Sequence, residues 1–547
     1  MQGLMMDSPL ILTSFYERAR RLYPTKEIVT RAGPELRRTS YGAWASRTAR
    51  LASALGKLGV KRGTRVATFA WNDARHLELY FAVPCMGAVL HPLNLRLGAE
   101  DIAFIANHAE DEVLFVDPSL LPAMEKIAPH LKSVRQYVVM ADVVPAGVSL
   151  SPVVAYEELL RSGTEDYAWP RLEENAAAAM CYTSGTTGHP KGVVYSHRSI
   201  YLHTLAISLA DCFGLRESDT VMPVVPMFHA MAWGLPFACV MLGAKLVMPG
   251  PHLQPRDLAE LLQSERVTVT AGVPTLWLGL LGLLDAERFD LGALRTLIVG
   301  GAAVPRSIIE AFEKRHGLQV VHAWGMTETS PLGSISRLKS HQLALPEAER
   351  FDLRAKQGTP AVGVEIRAVN EEGREVAWDG EGLGELQVRG PWVAAGYYRD
   401  ERSALSFDDG WFKTGDIVTI DAEGFIQIAD RSKDLIKSGG EWISSVDLEN
   451  RLMAHPKVQE AAVIAVPHAK WLERPLACVV VRPGQAVTAG ELLDHLRPQV
   501  ARWAVPDDVV VVDGIPKTSV GKIDKKALRA RFADYVLPGS VAEPPRD

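Results

Sequence analysis

The sequence predicts an α/β protein in two parts: a large N-terminal domain of layered sheets and helices, residues 1–430, and a small C-terminal α+β domain, residues 431–547. Three observations predict it. Short β-rich runs alternate with helical patterns through the first half, the text becomes compact and more charged from Asp430, and 547 residues exceed what one compact core accommodates. In order, Arg65–Ala70 reads as a buried strand, Ala74–Ala82 as a helix with apolar positions at helical spacing, and Gly87–Leu90 as the next strand. Glu112–Val116, Gln136–Met140, Val267–Ala271 and Leu294–Val299 repeat the rhythm. Such alternation argues for a parallel sheet covered by helices, with ligands held on loops beyond the carboxyl ends of the strands.

In the second part a helix opens at Ser444, with Asp447 three residues on, and stops before Pro456. Ala461–Val466 and Ala477–Val481 are apolar enough for strands. Thr488 with Glu491 caps another helix, and Val509–Val512 reads as a third strand. No internal repeat or low-complexity tract interrupts the chain.

The bulk properties bound the function. A formal charge of −6 provides no excess of Lys and Arg to displace counterions, which argues against a nucleic-acid partner. The five cysteines are scattered and lack CxxC spacing, which suits a reducing compartment and offers neither a disulfide framework nor a zinc site. Residues 1–13 lack the basic start and apolar stretch of a signal peptide, so the expected location is the cytoplasm. Val221–Gly250 carries only Lys245 as a fixed charge, yet Pro223, Pro226, Pro236 and Pro249 break it well short of a membrane span. It reads as buried core or the wall of an apolar pocket.

The strongest local signal is Tyr182-Thr183-Ser184-Gly185-Thr186-Thr187-Gly188-His189-Pro190-Lys191-Gly192. Glycines let backbone N–H groups turn toward an anion, hydroxyls add donors, and Lys191 supplies a point charge. Most Gly/Ser/Thr clusters are merely flexible loops. A run of these residues ending in Pro-Lys-Gly points instead to phosphate. It is not a Walker A loop, because Gly192 and not Ser or Thr follows the lysine.

This motif, with five others in the same order along nearly the whole chain, resembles the acyl-adenylate-forming superfamily of acyl-CoA synthetases, peptide-synthetase adenylation domains and beetle luciferases. Within it the sequence is most similar to bacterial medium- to long-chain fatty acyl-CoA synthetases and methylmercaptopropionate-CoA ligases. The resemblance implies ATP, Mg²⁺ and coenzyme A, and a C-terminal domain that is mobile.

His322-Ala323-Trp324-Gly325-Met326-Thr327-Glu328 resembles the adenine and magnesium motif. Trp324 keeps an aromatic face where Tyr is common, Thr327 faces the α-phosphate, and Glu328 with Thr183 offers oxygens to Mg²⁺. Gly301 and Ala302 would lie against adenine, and Gly300 against the acyl site. In Trp411-Phe412-Lys413-Thr414-Gly415-Asp416 the carboxylate of Asp416 would accept both ribose hydroxyls. Arg431 and Lys437 would add nucleotide contacts, and Lys433 stands where the family hinges. Lys522, after Pro516-Lys517-Thr518, matches the catalytic lysine. Isolated, each of these is more often a core aromatic, a surface turn or a solvated charge; their order is what singles them out.

The implied chemistry is attack of a carboxylate on the α-phosphorus of ATP, with Lys191, Glu328, His229 and Lys522 as the catalytic set, followed by transfer to a thiol. Ser438-Gly439-Gly440-Glu441-Trp442 resembles the loop lining the thiol tunnel, the basis for naming coenzyme A. His229 lies near the acyl carboxylate in relatives, and Trp233 matches an aromatic that gates the fatty-acid tunnel. The expected acid is therefore a medium- or long-chain fatty acid, with a short or sulfur-containing acid as the alternative. A luciferase-like oxidoreductase, a non-catalytic acyl- or nucleotide-binding protein and a carrier-protein ligase share these motifs. A homodimer is what the nearest relatives suggest; no transmembrane segment is expected, and peripheral membrane contact stays open.

Overall fold

The structure is a computed structural model, and it describes residues 1, 3–183, 190–438, 441–468, 470–518 and 522–538. Among them are two large sheets, each mostly parallel. In the seven-stranded sheet the order runs Val153–Ala155, Gln136–Val139, Asp111–Val116, Arg65–Phe69, Val89–Pro92, Ala177–Tyr182, Gly192–Ser196. Only the last pair is antiparallel, and the phosphate-loop motif joins its two strands. The nine-stranded sheet has a parallel centre that includes Thr220–Pro223, Val269–Gly272, Thr296–Gly300 and Val320–Gly325. Its edges are antiparallel: Glu35–Ser40 at one, Leu332–Ile335 with Thr359–Pro360 at the other.

The elements form for reasons visible in the residues. The helix Ala74–Cys85 starts where Asp73 accepts the backbone N–H of His76 at 2.7 Å. It packs Leu77, Tyr80, Phe81 and Cys85 into the main core. The strand expected from Gly87 begins two residues later, at Val89, because Gly87 adopts φ +88° and turns the chain. Val221–Gly250 divides into the strand Thr220–Pro223, a turn, the helix Leu235–Leu242 and the strand Lys245–Met248. All are largely buried, and no described helix is long and apolar enough to cross a membrane.

A five-stranded antiparallel sheet follows, built on Glu365–Val369, Gly384–Arg389 and the long strand Trp411–Ile420, with Phe407–Asp408 on one side. Ile426–Arg431 also pairs with the long strand, setting Arg431 opposite Asp416. The small lobe has its own sheet and cores, beginning at Ile436. Val458–His468 and Leu472–Val481 form a long hairpin, and Asp508–Val511 adds in parallel. Ser444 caps Ser445–Met453 by accepting from Asp447 N at 3.0 Å, and Thr488 caps Ala489–Leu496 by accepting from Glu491 N at 3.2 Å.

Candidate functional site

A cavity of about 500 Å³ lies where the two lobes meet. The large lobe supplies Thr183, Lys191, His229, Trp233, Gly300, Gly301, the 323–328 turn and Thr414–Gly415; the small lobe supplies Thr518 and Lys522.

The floor is the end of the strand Thr296–Gly300. A Cβ at Gly300 would stand 2.8 Å from the Ala323 carbonyl oxygen and 3.2 Å from the Trp233 ring, so any side chain there forces a shift. Trp233 reaches this spot from an unusual turn. Ala230, Met231, Ala232 and Trp233 all have left-handed backbones, φ 42°, 54°, 50° and 56°, and Gly234 follows at 77°. Each such L-residue costs on the order of 1–2 kcal/mol. Gly234 admits the close passage, since a Cβ there would lie 2.8 Å from the buried His203 ring.

Behind the wall formed by Trp324, Gly415 and Arg431 lies Asp416, which is 1% exposed. Trp324 Nε1 donates to its Oδ2 at 2.9 Å, and Arg431 Nε reaches its Oδ1 at 2.6 Å. A carboxylate has about four acceptor directions, so these two bonds leave two uncommitted. The indole of Trp324 fits because residue 333 is glycine: a Cβ there would fall 2.2 Å from the ring.

The opposite wall carries the phosphate-loop stem. Thr183 N donates to Lys191 O at 2.9 Å and Lys191 N to Thr183 Oγ1 at 3.2 Å, which closes the loop at its base. Ser184, Gly185, Thr186, Thr187 and Gly188 lie outside the described residues, as do Gly439, Gly440 and the Glu441 side chain. Glu328 is buried, and its Oε1 accepts from Tyr397 OH at 2.7 Å. The Thr327 carbonyl accepts from Tyr195 OH at 2.8 Å.

Lys522 enters from the small lobe, its backbone tied to Thr518 by bonds of 2.7 and 3.2 Å. Its Cε lies 3.9 Å from where a Cβ on Gly301 would be. Burial lowers its pKa to about 8, the neighbouring Arg431 adding to the effect against Asp416 and Glu328. Burial also holds the His229 imidazole down at about 3, with Lys522 and Arg96 contributing, so His229 is neutral. Lys433 lines the cavity, and burial lowers its ammonium pKa too.

Four residues expected at the nucleotide do not line the cavity: His322, Ala302, Lys437 and Asp416, the last buried behind its neighbours Trp324, Gly415 and Arg431, which do. The imidazole of His322 turns into the protein, Nδ1 lying 3.1 Å from Ala355 O. Ala302 is exposed beside the Gly300–Gly301 turn, and Ala323 alone of the 322–323 pair reaches the space. Lys437 lies over the Trp442 ring at 5.2 Å and 3.5 Å from Glu371. On the thiol-side strand, Ser438 is buried and its Oγ accepts from Arg474 at 3.0 Å.

Conversely, Tyr397, Tyr195, Phe213 and Leu332 shape the site without having been expected there. Tyr397 stands in Gly396-Tyr397-Tyr398-Arg399, about 70 residues from Glu328, and no spacing rule links the two.

Cations from two lobes converging on a glycine-floored cavity, beside a buried carboxylate and an indole, define a nucleotide-binding enzyme of the adenylate-forming class. Comparison with known proteins agrees. The family described as AMP-binding enzyme matches residues 15–398, and the AMP-binding enzyme C-terminal domain matches 447–522. The chain belongs to the AMP-binding enzyme family. It is 52% identical to a long-chain-fatty-acid–CoA ligase of Thermus thermophilus, over 97% of each chain. It is 45% identical to a 3-methylmercaptopropionyl-CoA ligase of Ruegeria lacuscaerulensis, over 98% of this chain and 99% of the other. Among solved structures it is similar to the anthranilate CoA ligase AuaEII in complex with anthranoyl-AMP, with a TM-score of 0.86 and 26% identity over 97% of this chain and 99% of that one.

Proposed function

We propose that the chain is an ATP-dependent acid–CoA ligase whose acid is a medium- to long-chain fatty acid, activated as an acyl-adenylate. The observation that carries this reading is the approach of Lys522, from one lobe, to the Gly300–Gly301 floor and the Asp416–Trp324 grip of the other.

The steps follow from the positions. Trp324 offers an aromatic face to adenine, and Asp416 accepts the ribose hydroxyls while Trp324 and Arg431 hold it still. The acid's carboxylate, beside neutral His229, attacks the α-phosphorus. The bond to the β-phosphate oxygen breaks, and pyrophosphate leaves toward Lys191 and the phosphate loop. Lys522 spans carboxylate and α-phosphate, offsetting charge that grows between two anions.

Among the described residues no group of three or more His, Cys, Asp or Glu could hold a metal ion. A buried carboxylate, Glu328, with the hydroxyl of Thr183, fits a magnesium ion that arrives on the nucleotide and keeps phosphate and water ligands. Bound there, it neutralises phosphate charge. In the second half-reaction the CoA sulfur loses its proton and attacks the acyl carbon, and AMP departs with the bond's electron pair. Rotation of residues 431–547 about Lys433 would withdraw Lys522 and bring the Ser438–Trp442 segment to the cavity.

Support for the fatty acid is the 52% relative together with an apolar wall of Trp233, Phe213, Pro331 and Leu332. The 45% relative favours 3-methylmercaptopropionate as the second reading. A panel of acids from butyrate to oleate, with 3-methylmercaptopropionate alongside, assayed for CoA-dependent AMP formation, decides between them. Rising kcat/KM with chain length supports the first, and a maximum at the sulfur acid supports the second. ADP and phosphate as products would overturn both. The buried free cysteines suit a cytoplasmic enzyme. A homodimer, with peripheral membrane contact at most, is proposed with it, and sedimentation checks the dimer.

A further inference from the structure

Tyr397 belongs to no motif that carried the functional reading, yet it touches two of its members at once. Its hydroxyl donates to Glu328 Oε1 at 2.7 Å, and its ring lies under the Lys191 ammonium, 4.4 Å from Nζ to the ring centroid. Glu328 lies between two strands of the nine-stranded sheet, Val320–Gly325 and Leu332–Ile335, Lys191 closes a loop of the seven-stranded sheet, and Tyr397 stands on the connection after Gly384–Arg389. The tyrosine is therefore a joint between elements that would grip opposite ends of a nucleotide's phosphates.

The joint is braced. Ala394 N donates to Glu328 O at 2.7 Å, Ser330 Oγ to Trp392 O at 2.7 Å, and Trp392 Nε1 to Leu332 O at 2.9 Å. Tyr397 N in turn donates to Ser403 Oγ at 2.8 Å. These bonds lace residues 392–397 to the 328–332 turn, so the phenol reaches Glu328 from a fixed backbone.

We infer that Tyr397 is a positioning residue for the metal–nucleotide complex: its hydroxyl fixes the Glu328 carboxylate with one oxygen committed, and its ring holds Lys191 at the phosphates' edge. A committed Oε1 leaves Oε2 as the oxygen aimed at a cation. A hydrogen-bond partner of this kind behind a metal-binding carboxylate typically alters metal affinity about 10- to 100-fold. The ring seat stabilises an ammonium through the aromatic face and limits the freedom of a long, flexible side chain. The inference rests on reading Glu328 as the carboxylate nearest the nucleotide's metal.

Binding tests it without turnover. Titration calorimetry with α,β-methylene-ATP, with and without Mg²⁺, separates the metal-dependent gain in affinity from metal-free binding. Tyr397→Phe removes one oxygen from a half-buried ring and keeps the seat for Lys191. It should bind the metal-free analogue as the unaltered enzyme does and lose roughly tenfold of the Mg²⁺-dependent gain. Tyr397→Leu removes both functions and should weaken metal-free binding as well. Glu328→Gln is the reference for complete loss of the gain. If Tyr397→Phe keeps the full gain while Glu328→Gln loses it, the positioning role is overturned and the reading of Glu328 stands. If the unaltered enzyme shows no Mg²⁺-dependent gain, both fall.

Discussion

Lys522 offers a perturbation whose outcome has a sign and a position on the pH axis. A lysine ammonium ordinarily titrates near 10.5, and here burial, with Arg431 nearby, lowers it to about 8. The amine is cationic below its pKa, so a step that needs the cation is supported below about pH 8 and weakens above it. One unit above the pKa only about a tenth of the enzyme carries the charge, so kcat/KM for adenylation should fall roughly tenfold per pH unit on the alkaline side.

The first half-reaction must be followed alone, by pyrophosphate release without CoA, so that the thiol's own ionisation does not intrude. Lys522→Arg should flatten the alkaline limb even if its plateau is lower, because a guanidinium stays charged throughout. Lys522→Ala should lower the rate by roughly 10²–10³, the usual loss when a donor to developing charge is removed. Bound nucleotide brings anions that favour the ammonium, so the limb in kcat should lie at higher pH than the limb in kcat/KM. A profile flat past pH 9.5 in the unaltered enzyme, or the same limb in Lys522→Arg, would refute the assignment.

Three further outcomes are expected. Trp324→Phe removes the 2.9 Å bond to Asp416, a charge-assisted interaction worth about 1.5–3 kcal/mol; because Arg431 still holds the other oxygen, KM for ATP should rise by roughly tenfold with KM for the acid unmoved. Lys525→Met should destabilise the small lobe by about 3–5 kcal/mol in denaturant unfolding, since the lysine lies 2.7 Å from Glu449 and bonds Ser445, whose amide is held at 2.8 Å by Asp430. Gly300→Ala should cost activity with every acid, because its methyl group would meet the Ala323 carbonyl and the Trp233 ring; a variant as active as its parent across the acid panel would show that this floor yields.

The layered part of the fold was legible because its strands are short apolar runs between helices, and Leu294–Val299 foretold Thr296–Gly300 to within two residues. The Ser444 and Thr488 caps were equally plain, since a hydroxyl before a helix has one obvious partner. The antiparallel sheet around Trp411–Ile420 was not anticipated: its strands lie among charged turns, and their pairing is set by tertiary contact. In the site, motif order singled out both Trp324, which lines the cavity, and Asp416, which is buried against it. It could not give their hydrogen bond, since 92 residues of chain separate them. His322 was legible as backbone but not in orientation, because the alternation of a buried strand sends neighbouring side chains to opposite faces.

The left-handed turn from Ala230 to Trp233 bears on efforts to toughen the molecule. Swapping in glycine at Ala230, Met231 and Ala232 would relax an unfavourable backbone, the sort of edit a thermostability campaign seeks. Yet the same edit would loosen the seat of the indole that meets Gly300, and acid selection would drift as melting temperature climbed. Here robustness and discrimination pull against each other within a single coil of peptide.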